Sequence, residues 1–214
     1  MYYADRGPTP LSPLDWSIPL PTLYSEEVLR QPEPEWTGER WGVDGRPVLL
    51  LTESGDDRSA WWPVAARLAE DLAVAVLDLP EDGTIGDRAE TLAQFVAKMG
   101  TRAPVVVGHG RAAVVASLFA ARYVAHGVVA VERALDAPGG DEDAEAALAE
   151  ITAGPRKVKC RYLSVFGSAP RPGYAAWLEA RIPGAECAVY GTGDRFPHLS
   201  DPERFIKDVT ALAS

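Results

Sequence analysis

The sequence predicts an α/β fold in which helices cover both faces of a doubly wound, mostly parallel sheet. Short apolar runs of strand length alternate along the chain with amphipathic stretches of helix length, which is the pattern of repeated strand–helix units. The strand runs lack polar alternation, so both faces of the sheet are expected to be buried. Right-handed crossovers should connect the parallel strands.

Six strands and six clear helices follow from this pattern. The predicted strands are Val48 to Thr52, Ala73 to Leu77, Pro104 to Val107, Gly127 to Val131, Tyr162 to Phe166 and Cys187 to Tyr190. The predicted helices are Ala60 to Glu70, Asp87 to Met99, Ala112 to Tyr123, Ala144 to Ile151, Gly173 to Ala180 and Pro202 to Ala213. Ligands of such sheets bind at the carboxyl ends of the strands, so the loops that follow the strands should carry any chemistry.

The composition is that of one acidic domain. The chain has 214 residues, of which 47% are hydrophobic, and this is enough to bury a core without disulfides. A formal net charge of −10 is the opposite of the basic footprint that binds nucleic acid, so no nucleic-acid partner is expected. Two cysteines lack the pairing of a zinc site, and we expect neither a metal nor a cofactor. With no long apolar run, the chain is expected to be cytoplasmic and free of membranes.

Residues 1–40 differ from the rest of the chain and are predicted to form an irregular arm before a single domain over residues 41–214. The arm holds seven prolines, which disfavour helices and strand ladders. Its large aromatic side chains are Tyr2, Tyr3, Trp16, Tyr24 and Trp36. Three uses of the arm remain open: packing on the domain's own core, covering a pocket, and joining two subunits into a homodimer.

The segment 105–113 runs from a buried strand directly into a helix, which is the setting of a nucleophile elbow. Here the chain resembles the α/β-hydrolase family, whose elbow reads G-x-S-x-G, often with a histidine before the serine. His109 fits that pattern, Gly110 lies where the serine belongs, and Ala112 replaces the last glycine. The resemblance extends over about residues 36–213.

Two further segments carry the resemblance. Residues 56–64, which include Trp61, are similar to the family's first helix, and residues 196–205 are similar to its C-terminal loop and last helix. The resemblance implies an α/β-hydrolase-like fold whose cap is minimal or absent, because the slot for a cap, residues 134–156, is short. This slot is rich in acidic residues. It could form a solvated helix or recognise a basic partner.

The nucleophile and the oxyanion donors of the family are both altered. Covalent acyl transfer needs a nucleophile, and Gly110 has no hydroxyl group. The family usually carries His-Gly after the first buried strand, whereas this chain has Glu53 and Ser54. If the Glu53 carboxylate faced the pocket, it would oppose a developing negative charge. Without a serine side chain, the backbone amide of Arg111 should be open to a carbonyl or carboxylate of the substrate.

The acid and the base of the family are also displaced. The loop 167–171, where the resemblance would place the acid, has no carboxylate, although Glu132 lies at a second place that related enzymes use. The residue at the family's base position is Asp194 or Arg195. Which of the two it is depends on where the one extra residue of this loop is placed relative to the family's pattern. His198 is the nearest imidazole in sequence, and it could be structural or turn inward.

These departures favour a protein that does not hydrolyse esters. The candidate catalytic residues are His198 and Asp194, and the candidate substrate-binding residues are Glu53, Ser54, Trp61, His109, Gly110 and Arg111. The first hypothesis is a lyase, isomerase, epimerase or cyclase that acts on a small molecule or peptide by positioning and acid–base chemistry, as triad-lacking relatives do in natural-product biosynthesis. The alternatives are an inactive binding or accessory protein and a hydrolase with a displaced triad.

Overall fold

A central sheet organises the fold. The computed structural model describes residues 35–42, 44–53, 55–138 and 140–214. The strands in this part of the chain are β1 Thr37–Trp41, β2 Pro47–Thr52, β3 Ala73–Asp78, β4 Val105–His109, β5 Gly127–Val131, β6 Arg161–Phe166 and β7 Glu186–Val189. Their order is β1-β3-β2-β4-β5-β6-β7, and every neighbouring pair is parallel except β1 with β3. The predicted doubly wound, mostly parallel sheet is confirmed.

Helices connect the strands and cover both faces of the sheet. They are α1 Trp62–Leu68, α2 Ile85–Lys98, α3 Arg111–Arg122, α4 Glu142–Ala153, α5 Tyr174–Glu179, α6 Pro197–Ser200 and α7 Pro202–Ala213, with a short 3-10 helix at Arg58–Ala60. Each of the six predicted helices has a counterpart here. Among the described residues, no helix is both long enough and apolar enough to cross a membrane.

Strand β1 corrects the predicted boundary of the N-terminal arm. Residues 37–40, which we expected to be irregular, pair antiparallel with β3, and the Thr37 hydroxyl donates a hydrogen bond to Asp78 at 2.9 Å. The apolar pattern does not reveal this strand, because an edge strand alternates between exposed and half-buried positions and has no continuous apolar run. Residues 1–34 lie outside the described residues, so the uses of the arm stay predictions.

Two hydrophobic cores lie on opposite faces of the sheet. Successive side chains of β2 alternate between them, with Leu49 in one core and Leu50 in the other. Helices α2, α3, α4 and α5 contribute to the first core, and α1 and α7 contribute to the second. Helix α3 is buried from Ala112 to Ala121 and is therefore held firmly behind the elbow. Burying Phe119 alone stabilises this arrangement by about 2 to 3 kcal/mol.

The slot for a cap holds a single helix, as a minimal cap requires. Helix α4 buries Ala147, Leu148 and Ile151 against the first core. Two of its acidic side chains pair within the domain, Glu150 with Arg122 at 2.7 Å and Asp143 with Arg111 at 2.9 Å, whereas Glu142 is exposed. Whether this helix recognises a basic partner stays a prediction.

Candidate functional site

The elbow is a sharp turn between β4 and α3 whose central residue is Gly110. This glycine has φ of 55° and ψ of −120°, a conformation that costs free energy for any residue with a side chain. Its neighbour Gly108 is also required by space, because a Cβ atom there would lie 2.4 Å from the backbone of Ala112. The turn therefore has the backbone geometry of an elbow, and its central residue carries no hydroxyl.

The side chain of Glu53 fills the space above Gly110. Its Oε1 accepts a hydrogen bond from the backbone amide of Arg111 at 3.0 Å. A Cβ atom built on Gly110 would lie 2.2 Å from Glu53 Oε2, so the carboxylate occupies the volume of the missing serine side chain. Our expectation that the Arg111 amide is open to substrate is wrong, since a carboxylate of the chain itself already binds it.

The ring of His109 lies beside this carboxylate at the end of β4. The side chain is 3% exposed, and Nε2 donates to the carbonyl oxygen of Arg195 at 2.8 Å. Because a carbonyl oxygen only accepts, Nε2 carries a proton, and Nδ1 is the atom that faces the carboxylates. Nδ1 lies 3.4 Å from Glu53 Oε2 and 3.7 Å from Asp56 Oδ2, and within the described part of the chain no atom meets it with hydrogen-bond geometry. The Phe196 ring stacks on the imidazole at a centroid distance of 4.9 Å.

Arg195 completes the charge balance of the site. Its guanidinium lies 2.9 Å from Glu53 Oε2 and 3.4 Å from Asp56 Oδ2, and its side chain is 60% exposed. Burial alone would raise the pKa of Glu53, but His109, the Arg111 amide and Arg195 together outweigh burial and lower that pKa to about 2. Glu53 is therefore an anion at neutral pH.

A cavity of about 410 Å³ opens above the elbow. The charged side chains that line it are Glu53, Arg111, Glu132, Arg133 and Arg195, and His109 and Gly110 form part of its wall. Three arginines suit a small ligand with a negatively charged group. Four of the predicted substrate-binding residues thus lie together at this cavity, whereas Ser54 lies outside the described residues.

The other predicted site residues lie elsewhere. His198 is 1% exposed and stacks on Trp61 at 4.1 Å, and Trp61 is equally buried. Burial, reinforced by the nearby His109, lowers the pKa of His198 to about 3. Asp194 is exposed and accepts a hydrogen bond from the Ser200 hydroxyl at 2.5 Å. His198 and Trp61 are buried in these positions, and neither they nor Asp194 line this cavity.

Asp56 is the site residue that sequence reasoning missed. Its backbone amide donates to the carbonyl of Glu53 at 3.0 Å, so a turn after β2 brings both carboxylates to the same side of His109. The signal was available as two acidic residues three positions apart after a buried strand. Glu132, which the resemblance gives as a second place for the acid, accepts a hydrogen bond from the Gly167 amide with its carboxylate and so joins the ends of β5 and β6.

Comparison with known proteins shows the fold. No protein-family model matches the sequence, and no curated protein matches it. Solved structures do match: a marine microorganism esterase has a TM-score of 0.69 at 14% identity, covering 83% of this chain and 99% of that one. AqDC, described for recognition and ring-cleavage of the Pseudomonas quinolone signal, has a TM-score of 0.66 at 12% identity, covering 83% of this chain and 96% of that one.

A third structure is similar to the same extent. The N-formylmaleamic acid deformylase of Pseudomonas putida has a TM-score of 0.62 at 17% identity, covering 82% of this chain and 95% of that one. Hydrolases and a ring-cleaving protein share this architecture, so the likeness fixes the fold and leaves the chemistry to the site. The chain has the α/β-hydrolase fold.

Proposed function

We propose that this chain is a non-hydrolytic enzyme that moves a proton on a small anionic substrate, as a lyase, isomerase, epimerase or cyclase does. The observation that carries the proposal is the position of Glu53, whose carboxylate takes the place of the nucleophile and binds the Arg111 amide at 3.0 Å. An ionisable group at the floor of a polar cavity is suited to proton transfer. A role in natural-product biosynthesis, as the sequence resemblance implies, is part of this proposal.

The same position argues against ester hydrolysis. Gly110 offers no nucleophile, and the amide that would stabilise an oxyanion is bound to Glu53. A tetrahedral intermediate would develop its negative charge next to a carboxylate whose pKa is lowered to about 2. Repulsion between the two charges would raise the barrier instead of lowering it.

Arg195 links substrate binding to the basicity of Glu53. A carboxylate with a pKa of about 2 is a weak base while Arg195 is paired with it. The exposed guanidinium can turn to an anionic group of the substrate, and Glu53 then loses one of the interactions that lower its pKa. Binding of the correct substrate thereby strengthens the base that accepts the proton.

A binding or accessory protein is the second candidate. It is favoured by the network around the floor, where Arg111 is already paired with Asp141 at 2.6 Å and with Asp143 at 2.9 Å. Such saturated pairs hold a pocket in shape but leave little free hydrogen-bonding capacity for a transition state. In this case the cavity would bind the same class of ligand without changing it.

Hydrogen–deuterium exchange separates these two candidates. Small 2-oxo and 3-oxo acids are incubated with the protein in D₂O, and loss of the proton signal next to the carbonyl is followed by NMR. We expect exchange of at least one compound, loss of exchange in Glu53→Gln, a raised KM in Arg195→Gln, and no change in Asp194→Asn, which alters an exposed residue outside the cavity. Saturation-transfer signals without any exchange would favour the binding protein.

A further inference from the structure

Three side chains converge beside the elbow in a pattern that suits a cation. One ligand atom from each of Glu53, Asp56 and His109 lies within 4.8 Å of the others. We propose that these residues form a binding site for one divalent first-row transition-metal ion. This departs from the sequence-based expectation that the chain holds no metal.

The state of His109 is the observation that points to a ligand. Its side chain is 97% removed from solvent, at 3% exposure, and its Nε2 is held as a donor by the Arg195 carbonyl at 2.8 Å. Nδ1 faces two carboxylate oxygens, and among the described residues this buried atom has no partner with hydrogen-bond geometry. In the neutral ring Nδ1 carries a lone pair, and a cation placed between it and the two carboxylates would be attracted by all three groups.

The arrangement of the ring matches that of metal-binding histidines. Such histidines donate their second ring N–H to a carbonyl or carboxylate, which fixes the tautomer and directs the other nitrogen to the metal. Here the Arg195 carbonyl accepts that hydrogen bond. The distances from Nδ1 to the two carboxylates, 3.4 and 3.7 Å, are close to the ligand–ligand separation of about 3.3 Å in a tetrahedral zinc site.

The guanidinium of Arg195 occupies the cationic position in this structure. It contacts Glu53 Oε2 at 2.9 Å and Asp56 Oδ2 at 3.4 Å, which are the same oxygens that face His109. Since 60% of the Arg195 side chain is exposed, it can move into solvent without disturbing the core, while its backbone carbonyl stays on His109. A metal ion and Arg195 should therefore compete for the two carboxylates.

The ligand set indicates the class of metal. One imidazole nitrogen with two carboxylate oxygens suits zinc and its first-row neighbours better than calcium or magnesium, which prefer all-oxygen sites. Three protein ligands also leave a coordination position open. A neighbouring cavity lined by Asp57, Asp78 and Glu81 in addition to Glu53 and Asp56 would concentrate cations at the site.

Zinc titration with four variants tests this site. Isothermal calorimetry with Zn²⁺ as the only added ligand should give one ion per chain for the natural sequence. Affinity should fall about tenfold or more in Asp56→Asn and His109→Gln, because each removes a ligand. It should rise in Arg195→Gln, which removes the competing cation, and stay unchanged in Arg67→Gln, which alters an exposed arginine paired with Glu203.

Ring-nitrogen NMR locates the ion independently of variant stability. The chain has three histidines, so the spectrum is simple, and Zn²⁺ should shift Nδ1 of His109 while leaving His126 and His198 in place. An absence of binding, a shift at another histidine, binding of unchanged affinity in Asp56→Asn, or weaker binding in Arg195→Gln would overturn the proposal.

The metal site shares Glu53 and His109 with the proposed function but does not depend on it. Metal binding is measured by heat and chemical shift without any turnover. Proton exchange that persists in a chelator, in a protein that fails to bind Zn²⁺, would leave the proposed function standing and remove this inference. Zinc binding without proton exchange would support this inference and remove the proposed function.

Discussion

The Glu53 carboxylate and the Arg111 backbone amide are joined by a hydrogen bond of 3.0 Å across the elbow. The pairing is made possible by Gly110, because any Cβ atom there would lie 2.2 Å from that carboxylate. The glycine at the elbow and the glutamate after β2 are thus complementary, and neither residue can be understood alone. The absence of a side chain at position 110 and the carboxylate of Glu53 belong to one arrangement.

Restoring a serine at the elbow should damage the fold instead of restoring hydrolysis. Gly110→Ser places a Cβ against Glu53 at a φ of 55°, and we expect a loss of about 1 to 3 kcal/mol in the free energy of unfolding. Urea denaturation measures the loss. Neither the natural protein nor the variant should react with a serine-directed phosphonate or turn over p-nitrophenyl esters. Efficient turnover by Gly110→Ser would contradict this account.

A second substitution shows whether the clash with Glu53 is the cause. In the double variant Glu53→Ala with Gly110→Ser, the added side chain finds space, so the cost of the serine should fall by about 1 kcal/mol relative to its cost in the natural background. Strictly additive effects would show that backbone strain alone explains the loss. The larger Gly110→Leu should destabilise more.

The ionisation of Glu53 should make the protein acid-sensitive below pH 4.5. The pKa of Glu53 falls from 4.5 to about 2 on folding, so its stabilising contribution is present above pH 4.5 and is lost as the pH falls toward 2. The contribution is on the order of 3 kcal/mol. In urea denaturation, Glu53→Gln should have a lower free energy of unfolding at pH 7, and this free energy should change less between pH 4.5 and 2 than in the natural protein. Glu179→Gln, at an exposed position, should show the same pH dependence of the free energy of unfolding as the natural protein. The same pH dependence in Glu53→Gln would refute the lowered pKa of Glu53.

Much of the fold could be predicted from the sequence because its parallel strands are buried on both faces. Continuous apolar runs such as Val48 to Thr52 signal such strands directly, whereas the edge strand at Thr37–Trp41 has no such run. The elbow could also be predicted, because a buried strand that runs into a helix through small residues has few other structural interpretations. These features depend on local sequence alone.

The arrangement of the site could be predicted only in part. Spacing could not show whether Glu53 faces solvent or the elbow, because that depends on a turn which also brings in Asp56. Nor could it show that the C-terminal loop offers the carbonyl of Arg195 to His109 and turns His198 into the core. Such choices are made by packing between segments far apart in sequence, which one chain without a structure does not reveal.

Buried His198 should lower stability at mildly acidic pH. Its pKa falls from 6.5 to about 3 on folding, chiefly because the ring is buried, so protonation of the unfolded chain below pH 6.5 favours unfolding. His198→Phe removes this proton uptake and keeps a ring against Trp61. Its stability relative to the natural protein should rise by about 2 kcal/mol between pH 7.5 and pH 5, measured by urea denaturation.

Two controls accompany the His198 variant. Glu53 is still ionised at pH 5, so its contribution does not enter the comparison. His126→Gln, at a half-buried position, should change the pH dependence less. Proton exchange and zinc binding should be unaffected by His198→Phe, because the side chain is 1% exposed and lies outside the cavity wall. Loss of exchange in this variant would return His198 to the catalytic role that the sequence allowed.

Asp143 should be the residue that contributes most to holding helix α4 against the elbow. Its carboxylate accepts from the Ile85 amide at 2.9 Å and from the Arg111 guanidinium at 2.9 Å, so it joins the starts of α2, α3 and α4. Asp143→Asn removes the charge, and we expect a loss of about 1 to 2 kcal/mol in the free energy of unfolding. Amide exchange at Ile85 should accelerate, and ligands should bind more weakly because Ala144 of α4 lines the cavity. The neighbouring Glu142→Gln, at an exposed position, should change neither the free energy of unfolding nor ligand binding. Equal effects of the two variants would show that the overall charge of this helix matters and that the specific contacts of Asp143 do not.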